Sequence, residues 1–301
     1  MTLIPFSPFN FDLSAKIFAK GDRQIRIYEN GKFRQVIRIN DKLVLLTLES
    51  KGTIENPRIN AGLKSIDQID STDKEETKKI VCRLFNLDLN LADFYAVAKK
   101  DEALKQIIKM LYGLRSPTTQ TVYEALVDSI IEQQISLMVA TSLERTMIKK
   151  FGEQLVVDGE TFYAYPTPKS LSEGSIEEFR ECGLSIRKAE YIKEISALVA
   201  ERRLDLEKYR TYKKAKEIVR ELDNLRGVGV WTAELTTIRS LQKWDFMPAD
   251  DVGLRRIIAH YYCEGKKITS DQARNIAEPW GKWRGLAAFY FIIADLLKID
   301  A

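Results

Sequence analysis

The sequence predicts an α+β fold, with a small antiparallel β-containing N-terminal domain followed by a large all-helical body. Three observations carry the prediction. Residues 24–50, "QIRIYENGKFRQVIRINDKLVLLTLES", alternate apolar and polar side chains, the period of a strand with one buried face. From about residue 73 to the end the apolar spacing is helical. No repeat of fixed period and no low-complexity tract breaks either part.

The elements follow in order. Asn30-Gly31 and Asn40-Asp41 supply two-residue turns, so 24–50 is expected to form a three-stranded meander. Helices are expected over 73–85, 91–113, 121–134, 136–151, 175–182, 186–202, 212–222, 230–242, 251–262, 270–278 and 283–298. Pro166 and Pro168 mark one loop and Pro248 another. The segment 212–222 puts Tyr212, Ala215, Ile218, Val219 and Leu222 on one face. The next repeats this with Val230, Ala233, Thr237, Ile238 and Leu241. Only Asp223 to Gly229 lies between, so the pair reads as a helical hairpin with glycines at its tip.

Composition sets outer limits. The 301 residues suffice for roughly two domains of about 150 residues. The 47 Lys and Arg against 43 Asp and Glu give a net charge of +4, which permits a polyanionic partner without demanding one. Cys82, Cys182 and Cys263 are far apart and form no CxxC pair, against a disulfide framework or a four-cysteine cluster and in favour of an intracellular setting. With His260 the sole histidine, a multi-histidine metal site is excluded by count. The N-terminus, with Pro5 and Pro8 and no continuous apolar run, does not read as a signal peptide. The most apolar stretch, 286–297, is shorter than the about 20 residues of a membrane span and contains Asp295.

The stretch "LRGVGVWTA", 225–233, sets two helix-weakening glycines between two helices. A plain interhelical turn accounts for them. So does close approach of the backbone to an anion, because a helix N-terminus exposes unpaired N–H groups and glycine removes the Cβ in the way. About twenty residues on, "MPADDVGLRR" pairs Asp250 with Asp251 at a helix start. One acid can cap the helix while the other faces a cleft.

"LRGVGVWTA" followed by "FMPADDVGL" resembles the helix-hairpin-helix and Gly/Pro/Asp motif (HhH-GPD) of DNA base-excision glycosylases. Three stretches agree in order. "YEALVDSIIEQQISLMVATSLERTMIKKFG" resembles the helix–turn–helix that carries the family's strand-wedging residue. "FRECGLSIRKAEYIKEIS" resembles its connecting helices, and "WGKWRGLAAFYF" its closing helix. The meander resembles the small β domain of the alkylpurine (AlkA-like, 3-methyladenine DNA glycosylase II) and 8-oxoguanine branches. The resemblance implies an N-terminal domain over 1–85 and a catalytic body over 86–301. Within that body, 116–234 would form one helical subdomain, and 86–115 with 235–301 the other.

The branch turns on Trp231. Bifunctional 8-oxoguanine glycosylases carry a Schiff-base lysine at that place, and an indole cannot attack the sugar. The resemblance therefore implies a monofunctional DNA glycosylase that flips alkylated bases of the 3-methyladenine and 7-methylguanine type out of duplex DNA and hydrolyses the N-glycosidic bond. Asp251 is the implied catalytic carboxylate, opposite the positive charge that builds on the sugar. At 4 Å and an effective dielectric near 20 such a carboxylate contributes roughly 4 kcal/mol, about a thousandfold in rate. Asp250 is then the capping or structural partner. Trp231 would stack on the extruded base, and a cationic base gains about 0.5–2 kcal/mol from that ring. Gln134 would fill the vacated stack, with Ser136 capping the next helix; a core tryptophan and a polar helix end are the alternatives. The N–H groups of Gly227, Gly229 and Val230 would hold DNA phosphates. Arg226, Lys243, Arg255 and Arg256 could add charge toward the DNA or form solvated surface. The carbonyls of Asp223, Leu225 and Val228 match the family's Na+ or K+ site. No cofactor and no iron–sulfur cluster is implied. The partner is damaged double-stranded DNA, with no membrane, the protein acting as a monomer in the cytoplasm or nucleus.

One departure stands out. The family's pocket aromatics on the last helix align with Ile292 and Ile293, although Phe289, Tyr290 and Phe291 lie close by. Another base specificity (8-oxoguanine, hypoxanthine or uracil) is one competing reading, and a non-catalytic DNA-binding module is the other.

Overall fold

The computed structural model describes residues 1–19 and 21–299; positions 20, 300 and 301 of the expected domains lie outside the described residues. The meander forms as β2 (Arg26–Glu29), β3 (Lys32–Ile39) and β4 (Lys42–Ser50), paired antiparallel with Phe33 opposite Leu48 and Val36 opposite Leu45. Asn30, Gly31, Asn40 and Asp41 all take positive φ, the geometry two-residue hairpins require. The sheet is wider than the alternation suggests. β5 (Ile59–Lys64) pairs with β4, and β1 (Thr2–Leu3) pairs with β5, giving the order β1-β5-β4-β3-β2. α1 (Phe11–Ala19) and α2 (Ser71–Leu84) close one face. There Phe18 stacks on Phe33 at 5.3 Å, and Phe85 meets both rings edge-on.

The remaining helices are α3 (Ala92–Ala98), α4 (Glu102–Met110), α5 (Val122–Glu132), α6 (Leu137–Phe151), α7 (Pro168–Glu173), α8 (Ile176–Glu181), α9 (Ile186–Ala200), α10 (Ala215–Leu222), α11 (Val230–Leu241), α12 (Val252–Tyr262), α13 (Ser270–Ala277) and α14 (Arg284–Leu296). The single helix expected over 91–113 is broken. Asp101 caps α4 by accepting from the Leu104 N–H at 2.9 Å, and it also accepts from Tyr262 and Trp280.

The body is not helical throughout. β6 (Gln154–Val157) and β7 (Glu160–Tyr163) form a hairpin around Asp158-Gly159. Its Leu155 and Phe162 pack on Val36 and Leu45 of the sheet, and the Tyr163 N–H donates to the Gln24 carbonyl at 2.8 Å. This hairpin joins the β domain to the helices.

Buried apolar side chains gather in three main cores. One lies under the sheet, from Leu3 to Leu87. A second joins α5, α6, α9 and α10 to α11, with Ala233 at its edge. The third combines α3, α4, α12, α13 and α14 with Ile238 of α11. α11 thus packs on both helical cores, through Ala233 and Leu241 on the second and Ile238 on the third.

Candidate active site

The glycine hairpin follows directly from local chemistry. Gly227 takes φ +82°, and a Cβ there would stand 2.2 Å from the Tyr191 ring of α9. Gly227 therefore permits both the left-handed turn and the packing of an aromatic ring against its backbone. Gly229 differs. Its backbone is extended, and a Cβ would meet nothing within 4 Å, so its surroundings are open. It starts α11 with no side-chain cap, and the N–H groups of Gly229 and Val230 donate to nothing among the described residues. An uncapped first turn of a twelve-residue helix carries partial positive charge. An anion can approach it where the Cβ is missing.

Asp223, Leu225 and Val228 lie within the same turn. The Leu225 carbonyl accepts from the Val228 N–H at 3.0 Å and keeps its second lone pair. Neutral carbonyls are suitable donors for a hard monovalent cation. Among the described residues no three His, Cys, Asp or Glu come together to hold a metal ion.

Arg226 is placed differently from the expectation of a charge directed at DNA. Its guanidinium pairs with Glu190 at 3.0 Å and Glu194 at 2.9 Å, and lies over the Tyr191 ring. The two carboxylates hold its pKa above the ordinary guanidinium value. It fastens the hairpin to α9.

The turn between α5 and α6 stands beside the hairpin. Gln134 is exposed there and takes φ +59°, a left-handed conformation. Ser136 caps α6 through the Val139 N–H. Two groups absent from the sequence reading fix this turn. Lys188 Nζ donates to the carbonyls of Ile131 and Gln133, both at 2.7 Å, and burial lowers its pKa. Gln133 Nε2 donates to the Gly227 carbonyl at 2.8 Å and to Thr232 Oγ1 at 3.0 Å. The segment after Gln134 exposes Leu137, Met138 and Val139.

Of the two roles expected of Asp250 at the helix start, the structure leaves it the structural one and gives the cap to its neighbour. Asp251, not Asp250, caps α12, its Oδ1 accepting from the Leu254 N–H at 2.8 Å. One carboxylate oxygen is thus fixed in place. Gly253 leaves the group uncovered, since a Cβ there would crowd Oδ1 at 3.1 Å. Asp250 is exposed and pairs with Arg274 at 2.7 Å. A hydrogen bond from Ser270, with Arg274 beside it, holds Asp250 below the usual carboxylate range. Asp250 is the structural partner, and the physical reason is spacing: Asp251 stands three residues before Leu254, the reach of an N-cap side chain.

Trp231 sits half-buried in the first turn of α11. His260 is exposed in the last turn of α12, edge-on to Tyr261. Arg255 donates to the Ala249 carbonyl and to Ser270, which braces the loop before Asp251. Arg256 pairs with Asp295, and Lys243 reaches the Lys213 carbonyl. On α14, Tyr290 and Phe291 are fully buried in the core; Tyr290 donates to the Leu114 carbonyl at 2.7 Å and Phe291 stacks on Trp280. Phe289 and Ile292 remain half-buried and Ile293 is buried. Packing, not the pocket, accounts for the two central aromatics.

Known proteins share both the sequence and the fold. A family model described as HhH-GPD superfamily base excision DNA repair protein matches residues 127–282. One described as the N-terminal domain of 8-oxoguanine DNA glycosylase matches residues 4–126. The chain is 29% identical over 287 residues to a DNA-3-methyladenine glycosylase of Bacillus subtilis, covering 94% of this chain and 93% of the relative. It superposes on a 3-methyladenine DNA glycosylase from Archaeoglobus fulgidus with a TM-score of 0.87 and 27% identity over 99% of each chain. An 8-oxoguanine glycosylase/lyase of Clostridium acetobutylicum has the same fold, with a TM-score of 0.74 and 22% identity over 99% of each chain. The first of these matches spans more than half of the residues and contains the hairpin, Trp231 and the two acids. The chain belongs to the HhH-GPD superfamily of base excision DNA repair proteins and is a DNA N-glycosylase acting on damaged bases.

Proposed function

We propose that this glycosylase is monofunctional and releases cationic alkylpurines, such as 3-methyladenine and 7-methylguanine, from duplex DNA. The observation that carries the reading is Trp231, an aromatic ring in the first turn of α11 where a lyase would need an amine. The names of the B. subtilis and A. fulgidus relatives support it.

In this reading the N–H groups of Gly229 and Val230 bind a backbone phosphate without reading sequence. The carbonyls of Asp223, Leu225 and Val228 would hold a Na+ or K+, whose positive charge would favour the same phosphate. The damaged nucleotide leaves the stack at a cost of a few kcal/mol. Gln134 takes its place, held by the Gln133 and Lys188 bonds behind it. Trp231 stacks on the base. Asp251 faces the sugar, where cleavage of the C–N bond develops positive charge, and it orients the attacking water. Its fixed cap geometry means the carboxylate need not reorganise as that charge appears. A cationic base leaves without protonation, so the remote His260 is not needed. One chain supplies every group named, so the reading requires only a monomer.

The test is single-turnover release from matched duplexes, each with one modified base, followed by hot alkali to reveal abasic sites. The expected order is 3-methyladenine and 7-methylguanine ahead of 8-oxoguanine. The N-terminal match favours 8-oxoguanine as the second reading, and faster release of that base would establish it.

A further inference from the structure

α11 carries a buried acid that the mechanism leaves unused. Glu234 is 8% exposed, and its Oε2 atom has no hydrogen-bond partner. It follows Trp231 by three residues on the same helix, so the two side chains leave neighbouring positions of one helix face. The charged groups acting on it from other elements are Arg274 of α13 and Asp250, the residue beside Asp251. Arg274 is already shared between Asp250 at 2.7 Å and Asp271 at 3.3 Å. The Glu234 carboxyl is therefore a buried acid one helical turn from Trp231, with an unpartnered oxygen and only the shared Arg274 as a nearby cation. A buried carboxylate without a partner is costly, and a cation delivered to it is correspondingly favoured.

We propose that Glu234 is a specificity-determining residue, which selects cationic nucleobases by presenting a carboxylate beside the Trp231 ring. The inference rests on the alkylbase reading above. Burial raises the Glu234 carboxyl to about 7; Arg274 opposes that rise and Asp250 adds to it. Near neutral pH the group is thus close to half protonated. A cationic base drives it to the charged form, and the proton passes to solvent. A neutral base provides no such drive.

The test measures affinity, so that chemistry does not enter. Wild-type protein and Glu234→Gln are titrated with three duplexes at pH 7. One carries 2′-fluoro-7-methylguanine, which is cationic and resists cleavage. One carries neutral 2′-fluoroguanine, and one a tetrahydrofuran abasic site. The wild type should prefer the cationic duplex over the neutral one. Glu234→Gln should lose roughly tenfold on the cationic duplex, the scale of one pKa unit, and change within about twofold on the other two. Because glutamine leaves a buried amide, Glu234→Leu serves as a second variant if thermal unfolding shows the first to be damaged. An unchanged cationic preference in a folded variant overturns the assignment of Glu234. Absence of that preference in the wild type overturns the alkylbase reading as well.

Discussion

The side-chain amide of Gln133 donates to the Gly227 carbonyl at 2.8 Å and so ties the turn that presents Gln134 to the glycine hairpin. The same nitrogen reaches Thr232 Oγ1 at 3.0 Å. Each bond of this kind contributes about 1 kcal/mol net. Gln133→Ala should lower stability by about 1–2 kcal/mol in urea unfolding. It should also weaken binding to damaged and undamaged duplexes alike. In a double-mutant cycle with Thr232→Val, a coupling of at least about 0.5 kcal/mol is expected. Additive losses would show that the two residues act independently.

The two glycines should respond differently to substitution. Gly227→Val places a Cβ within 2.2 Å of Tyr191 at a positive φ, and it should unfold or distort the hairpin before DNA is added. Gly229→Val meets open space and should leave the thermal midpoint nearly unchanged. It should still weaken binding to every DNA sequence about equally, because it blocks an N–H site that reads no bases. Unchanged DNA affinity in Gly229→Val would return the hairpin to a plain turn.

The acids separate by capping and charge. Asp251→Asn keeps the cap but removes the charge, so base release should fall by about a hundredfold or more while damaged DNA still binds. Asp251→Ala also loses the cap and should cost about a further 1 kcal/mol of stability. Asp250→Asn breaks only the exposed Arg274 pair and should cost much less activity. A dead Asp250→Asn beside an active Asp251→Asn would reverse the assignment.

Trp231 decides the type of chemistry. Without an amine there, borohydride should trap no covalent DNA adduct, and strands should break only after alkali. Trp231→Ala should slow release of cationic bases more than neutral ones, because the ring face contributes about 0.5–2 kcal/mol to a cation. Efficient trapping would make the protein a lyase.

Stability should fall as pH rises. Burial raises Glu124 from 4.5 to about 7, opposed by Arg26 and by the N–H groups of Gln120 and Thr121. Glu234 is raised to about the same value. An acid with a raised folded pKa adds stability that is fully present below its unfolded pKa and lost as the pH climbs through the folded one. The fall therefore spans about pH 4.5 to 7, at up to about 1.4 kcal/mol per pH unit for each group. Glu124→Gln preserves the capping box with Thr121 and cannot ionise. It should flatten the curve measured by urea unfolding from pH 5 to 8, and an unchanged slope would place the titration elsewhere.

Features that depend on a few neighbouring residues are legible in the chain alone. Asn30-Gly31 and Asn40-Asp41 dictate tight turns, and alternation dictates the strands between them. Apolar spacing locates α10 and α11, and two glycines in the loop between them dictate the hairpin. Features that need a partner distant along the chain emerge only on folding. The β6–β7 hairpin has a local signal in Asp158-Gly159, but its short strands gain their buried face only from Val36 and Leu45. The break before α4 depends on Asp101 serving Tyr262 and Trp280 as well as its own helix. Arg226 looks like a surface charge until α9 brings Glu190 and Glu194 to it. Gln133 and Glu234 read as ordinary polar helix positions, and only the Gly227 carbonyl brought to one and the burial of the other make them a tie and a buried acid. Turn geometry and periodicity act over one or two turns of chain, whereas burial and charge pairing depend on which surfaces the whole fold brings together.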